Sequence, residues 1–332
     1  MADAKLQWFY TDSGHPDVDN YDTVILIHGM NWNTSSFDTI YPLAAPAGLR
    51  FVAFNRRGYP GSTPYTAEEQ ALLTSSDTTS HSLFYRKQGL AIARAVLEIL
   101  ADPALALPES GKVGVLGWST GNWFVLALLS IMDDPELLPS ERDTLKSRIT
   151  HPILLEPASN HVGAYDPSNA YNPAAKPVPD ALAIGRWATG YFEHPDPASR
   201  DPTRLNFKHY LSDPSPLIDR LEPAYIARTT LDASAIDGPL LLSKWREANE
   251  RGTKEALRKV KDGLWTRVKS VSVIWGDRTF WLTPPALWAL EDYSKELGGS
   301  LLEVKTVKGG NHFIPIDHPN ETIAFVKEIL SA

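Results

Sequence analysis

The chain has 332 residues, 43% of them apolar, enough for one large domain with a sizeable insertion or for two domains. Its net charge of −8, from 32 basic and 40 acidic side chains without long runs, leaves no basic stripe and argues against a nucleic-acid partner. Cysteine is absent, which removes disulfides, thiolate nucleophiles and cysteine metal sites.

The first residues, Met1-Ala2-Asp3-Ala4-Lys5, carry no basic region followed by an apolar core. No run of about 18 apolar residues follows, so a soluble, cytoplasmic protein without a membrane span is expected. Along the chain, short β-branched and apolar runs predict strands at Leu6–Tyr10, Thr23–Ile27, Arg50–Phe54, Lys112–Leu116, Pro152–Leu155, Val271–Trp275 and Leu302–Val307. Between them, helical stretches are expected at Ser82–Leu100, Gly121–Met132, Pro284–Leu297 and Glu321–Leu330. Several strands read as near-continuous apolar runs, as strands buried on both faces do. The alternation predicts an α/β fold: a mostly parallel, doubly wound sheet covered by helices.

From about Pro157 to Gly263 the alternation stops and proline and aromatic residues become frequent. A structureless loop of that length does not belong in a compact domain. Residues 157–263 are therefore expected to form an inserted, mainly helical cap, with helices near Asp180–Phe192 and Leu240–Val260. Residues 1–156 and 264–332 then make up the core.

The most informative local feature is Gly117-Trp118-Ser119-Thr120-Gly121, between the strand Lys112–Leu116 and the helix Gly121–Met132. A G-x-S-x-G at a strand-to-helix junction reads as a nucleophile elbow, whose tight turn lifts the serine oxygen above the sheet edge. Two further loops lie at the same edge. His28-Gly29-Met30-Asn31-Trp32 follows the strand Thr23–Ile27, and Gly309-Gly310-Asn311-His312-Phe313 follows the last strand.

Together these motifs resemble the α/β-hydrolase family, and the resemblance covers the frame on both sides of the cap. Asn55-Arg56-Arg57-Gly58-Tyr59-Pro60-Gly61-Ser62 is similar to the family's D-x-R-G-x-G-x-S loop, with Asn55 for the usual Asp and an extra proline. The resemblance implies that Ser119 attacks an acyl carbon, that His312 takes its proton, and that a carboxylate orients the imidazole. It also implies an oxyanion hole made by the backbone amides of Met30 and Thr120. His28 is expected to support its turn by hydrogen bonding, whereas His151, His161, His194 and His209 are expected to be solvated or satisfied locally.

The acid departs from the family pattern. In most relatives it stands three residues after a glycine that ends the strand following the cap; here that glycine is Gly276 and the position is Thr279. Glu156, at the end of the strand Pro152–Leu155, is the preferred candidate, and Asp277 is the alternative.

A serine at the elbow excludes the carboxylate-nucleophile chemistry of haloalkane dehalogenases and epoxide hydrolases in this family. The expected function is a serine esterase or lactonase acting on a hydrophobic small molecule, with no cofactor and no metal. Trp32, Trp118, Trp187 and Tyr191 are the expected pocket residues, and Tyr165, Tyr171, Phe192, Tyr210, Tyr225 and Trp245 are further aromatic candidates in the cap. A lyase or cyclase on the same frame and a ligand-binding receptor remain alternatives. The sequence does not fix the oligomeric state.

Overall fold

The inner strands are buried on both faces because their side chains alternate between two apolar layers. Val24 and Leu26 face one cluster with Phe51, Leu116, Ile153 and Ile274; Ile25 and Ile27 face the other with Val52, Val115, Leu154 and Val273. In this computed structural model, residues 6–164, 171, 173, 181–232, 234–241 and 243–332 are described.

Seven strands form one sheet: β1 (Tyr10–Asp12), β2 (Asp22–Ile27), β3 (Leu49–Phe54), β4 (Val113–Trp118), β5 (Ile149–Leu155), β6 (Val271–Gly276) and β7 (Leu302–Val307). Their order is β1-β3-β2-β4-β5-β6-β7, with β1 antiparallel to β3 and every other pair parallel. The chain leaves β2 toward β3 on one side and returns to β4 on the other. That reversal between β2 and β4 opens a crevice at the carboxyl ends of the strands, the place where open α/β sheets bind ligands.

The main helices are α1 (Ala67–Thr74), α2 (Thr78–Ala101), α3 (Gly121–Ser130), α4 (Pro139–Arg148), α5 (Ala181–Ala188), α6 (Arg246–Lys261), α7 (Thr283–Glu296) and α8 (Pro319–Ser331). Between β5 and β6 the chain leaves the sheet and forms a helical insertion that includes α5 and α6. Trp245, Ala256, Leu257 and Val260 in and beside α6 join the apolar cluster that α2 and α3 form under the sheet. The end of the insertion is thus part of the main core.

The first strand differs from expectation. Residues 7–9 are not part of a strand and pair with the loop after β3: Asn55 N–H donates to Phe9 O at 2.8 Å, and Gln7 N–H to Thr63 Oγ1 at 2.8 Å. Helix α2 begins four residues earlier than expected because the Asp77 carboxylate caps it, accepting the Ser80 N–H at 2.8 Å. The expected helix Leu240–Val260 is interrupted at its start, where 3-10 turns Gly238–Leu241 and Ser243–Trp245 precede α6. Of the expected helix Asp180–Phe192, Asp180 lies outside the described residues and α5 ends at Ala188. Helices α1 and α4 were not expected.

Helices α2 and α3 approach closely at Gly89, where an added Cβ would overlap the carbonyl of Ala127. Helix propensity favours alanine there by about 1 kcal/mol, but overpacking against rigid backbone costs about 1–3 kcal/mol. Gly89→Ala is therefore expected to lower the urea unfolding midpoint. An unchanged or higher midpoint would mean that the two helices separate freely.

Candidate active site

Strand β4 delivers Ser119 into the crevice in a left-handed backbone conformation, φ +54°. A non-glycine residue in this region costs on the order of 1–3 kcal/mol and has to be held by its surroundings. Here the Ser119 N–H donates to Leu155 O at 2.9 Å, and the Asn122 amide donates to both Ser119 O and Leu155 O at 2.8 Å. The strain sits on the serine and not on the flanking glycines. Gly117 and Gly121 serve instead by having no side chain: a Cβ on Gly117 would overlap the backbone of Gly121, and one on Gly121 would overlap Ile27 O.

His312 reaches Ser119 from the loop after β7. Its Nε2 lies 2.9 Å from Ser119 Oγ and its Nδ1 lies 3.0 Å from Glu156 Oε2. Glu156 is fully buried at the end of β5 and also has a positive φ, +53°. Its Oε1 accepts the Gly276 N–H at 2.5 Å, and its Oε2 accepts the Thr279 hydroxyl at 2.5 Å and the Thr283 hydroxyl at 3.0 Å. A carboxylate without water needs such donors. Thr279, at the family's usual acid position, thus donates to the acid supplied by β5.

The alternative acid lies elsewhere. Asp277 is exposed, and its Oδ1 accepts the Gly309 N–H at 2.6 Å, closing the turn that leads to His312. The His312 loop is also held by Trp118 Nε1, which donates to His312 O at 2.9 Å, and by the Asn311 amide, which donates to Thr189 O at 2.8 Å.

Across the crevice, Gly29 lies against the serine, since a Cβ on it would be 3.1 Å from Ser119 Cβ. The N–H groups of Met30 and Thr120 have no hydrogen-bond partner among the described residues, as free oxyanion donors would not. His28 supports the turn from within. Its Nε2 accepts the Arg56 N–H at 3.0 Å, so Nδ1 carries the proton and donates to Gly29 O at 2.9 Å. Burial, and then the charge of Arg56, hold His28 well below the usual histidine range.

The expected pocket aromatics separate into different settings. Trp118 and Trp32 are core residues, packed edge-on against each other and against Phe313. Trp187 packs at a tilt against Phe280 at 4.9 Å between centroids, and Phe280 lies 4.1 Å from the His312 ring, so this pair forms an apolar wall beside the imidazole. Trp187 also lines a cavity of about 360 Å³ with Tyr171, Lys208 and Tyr210. Tyr191 is buried with its hydroxyl bonded to Arg220 and Asp317. Phe192 is fully buried, Tyr225 donates to Ser36 O, and Trp245 stacks on His81. Tyr165 lies outside the described residues.

Sequence reasoning did not find Thr283, Phe280, Asn122 or the Arg56 and Tyr59 contacts to the loop after β2. Only Thr279 had a signal, as a hydroxyl where a carboxylate is usual. Among the other histidines, His194 is satisfied by Thr279 O and the Asn206 N–H, and His151 by Thr150. His161 departs from the expectation: it is buried, and neither ring nitrogen has a partner among the described residues. It sits on the short helix Ser159–Val162, all four residues of which are buried. Among the described residues, no group of three or more His, Asp or Glu could hold a metal ion, and no helix is long and apolar enough to cross a membrane.

Residues 24–325 match the model of a family described as the alpha/beta hydrolase family. Among solved structures, the chain is similar to a bromoperoxidase from Bacillus anthracis at 17% identity and TM-score 0.52, covering 99% of this chain and 97% of that one. It is also similar to a carboxylesterase of the thaumarchaeon Nitrososphaera gargenis, at 13% identity, TM-score 0.53 and coverage of 100% and 96%. A thioesterase domain of the curacin biosynthetic pathway matches at 15% identity, TM-score 0.52 and coverage of 98% and 96%. Such distant likeness speaks to the fold. No curated protein matches.

Burial, with Arg56 and His312 nearby, lowers the His161 pKa from 6.5 to about 3. An unfolded chain takes up this proton below about pH 6.5 and the folded one does not. The stability is therefore full above that pH and is lost as pH falls toward the folded pKa. His161→Phe is expected to flatten the loss of stability between pH 7 and 5 by up to about 1.4 kcal/mol per pH unit. Urea unfolding at both pH values measures it; parallel losses in variant and parent would show that His161 takes up protons in the folded state.

Proposed function

The chain belongs to the α/β-hydrolase family, and from that premise we propose that it is a serine hydrolase cleaving an ester or lactone of a hydrophobic small molecule through an acyl-enzyme on Ser119. The observation that carries this reading is the unbroken relay from Ser119 Oγ to His312 to the buried Glu156, at 2.9 and 3.0 Å. Of the insertion expected at residues 157–263, the part before α6 acts as the cap over it, since α6 packs in the main core.

In this mechanism Ser119 Oγ attacks the acyl carbon while His312 Nε2 takes the hydroxyl proton. Glu156 accepts from Nδ1–H throughout, which keeps Nε2 free to accept and stabilises the imidazolium that forms. The carbonyl oxygen becomes an oxyanion between the N–H groups of Met30 and Thr120, donors that need no rearrangement as charge develops. Collapse breaks the ester C–O bond, and the departing alkoxide takes the proton from His312; in a lactone it stays attached to the acyl group. Water then attacks the acyl carbon, losing a proton to His312; collapse breaks the bond to Ser119 Oγ, which takes that proton back, and releases the acid. The wall of Phe280 and Trp187 beside His312 supports an apolar acyl or alcohol group.

With p-nitrophenyl esters of graded chain length, Ser119→Ala is expected to lower kcat by about 10⁴–10⁶-fold, and Glu156→Gln by about 10⁴-fold. Asp277→Asn is expected to stay within a few-fold of the parent. The acid would be wrongly assigned if Asp277→Asn lost several orders of magnitude while Glu156→Gln turned over normally.

A further inference from the structure

The oxyanion loop, residues 28–31, is held from beneath by one cation. Arg56 is fully buried; its Nε donates to His28 O at 3.2 Å and its Nη2 to Gly29 O at 3.2 Å. The same Nη2 donates to Tyr59 Oη at 3.0 Å, and that oxygen accepts the Asn31 N–H at 3.0 Å. Asn31 itself has φ +62°, a conformation that needs outside support.

Arg56 is in turn held by the insertion. Asp237, on the short helix Ser234–Asp237, is fully buried and pairs with the guanidinium through both oxygens, at 2.7 and 2.6 Å, while its Oδ2 accepts the Tyr59 hydroxyl at 2.5 Å. Burial works against the Arg56 charge, and Asp237 first, together with Tyr59 and Tyr65, more than offsets it, so the Arg56 pKa is raised. Just before Asp237 the insertion runs beside the loop as a strand would. Leu231 N–H donates to Asn31 O and Asn33 N–H to Thr229 O, both at 2.9 Å, around a bridge between Trp32 and Thr230.

The geometry of the peptide group gives this arrangement a consequence. Gly29 C=O and Met30 N–H belong to one planar trans peptide and point in opposite directions. Donors that draw Gly29 O down toward Arg56 and His28 therefore turn Met30 N–H up toward Ser119. We propose that Arg56 and Asp237 are positioning residues: the pair fixes the Gly29–Met30 peptide so that Met30 N–H faces the reacting carbonyl, and through Asp237 makes the oxyanion hole depend on the seating of the insertion. This rests on the reading of Met30 as an oxyanion donor. Neither side chain touches substrate; both act through the peptide plane.

The chain has three methionines, Met1, Met30 and Met132, so [15N]methionine labelling reports the Met30 amide almost alone. Met132→Leu identifies the Met132 resonance, and Met30→Leu identifies that of Met30. Two variants separate the effect from loss of folding. Asp237→Asn removes the insertion's charge. Arg56→Met combined with Asp237→Leu replaces the buried pair by apolar groups, an exchange often tolerated in stability. With folding verified by circular dichroism, both are expected to move or broaden the Met30 resonance while Met132 stays in place. Both are also expected to lower kcat on p-nitrophenyl esters by about 10- to 100-fold, with KM changed less than about threefold, because one donor to the transition state is misaimed. A Met30 resonance at its parental position in either folded variant, or unchanged kcat with that resonance moved, would overturn the proposal. If Ser119→Ala proved as active as the parent, the hydrolase reading would fall separately, and the Met30 resonance would still decide whether the pair sets the peptide.

Discussion

A carboxylate shut off from water has to find its hydrogen bonds inside the protein, and Glu156 finds them on four neighbouring segments. The end of β6 supplies Gly276 N–H, the segment after it supplies the Thr279 hydroxyl, the start of α7 supplies Thr283, and the loop after β7 supplies His312. Satisfying this one group locks β5, β6, α7 and the histidine loop in a single geometry. It also explains Thr279: an aspartate there would place a second carboxylate against Glu156, whereas a hydroxyl there completes its set of donors. The acid has moved to a neighbouring strand, and the vacated position has become its support.

The backbone accepts local strain for this geometry. Of the five non-glycine residues with positive φ among those described, Asn31, Ser119 and Glu156 stand at the three corners of the site. Each is held by hydrogen bonds from elements distant in sequence: Leu155 O for the Ser119 N–H, Ile274 O for the Glu156 N–H, and Tyr59 and Leu231 for Asn31. The sheet can hold such conformations because its strands are packed on both faces.

The frame was legible because its determinants are local. Apolar runs located the strands of the sheet interior, and G-x-S-x-G was readable because close backbone approach forces those glycines. Helix α1 carries a local signal of its own, since Thr66 and Glu69 form a reciprocal capping box, but no strong apolar stripe follows it. The pairing of Arg56 with Asp237 was not readable, since 181 residues separate two side chains whose neighbours give no periodic signal. For the same reason the aromatics could not be sorted: Trp118 sits beside the serine in sequence, yet the pleat turns it into the core. His161 illustrates the limit in another way, because burial without a partner leaves no trace in composition or spacing.

The central claim is that Ser119 carries the acyl group, driven by a histidine that Glu156 holds. It is tested most directly by mixing the protein with an ester whose acyl-enzyme hydrolyses slowly, quenching in acid and mapping peptides by mass spectrometry. The predicted result is a single acyl mass on the peptide containing Ser119, absent from His312→Ala. Continued release of alcohol with Ser119 unmodified, or an acyl group on another residue, would contradict it.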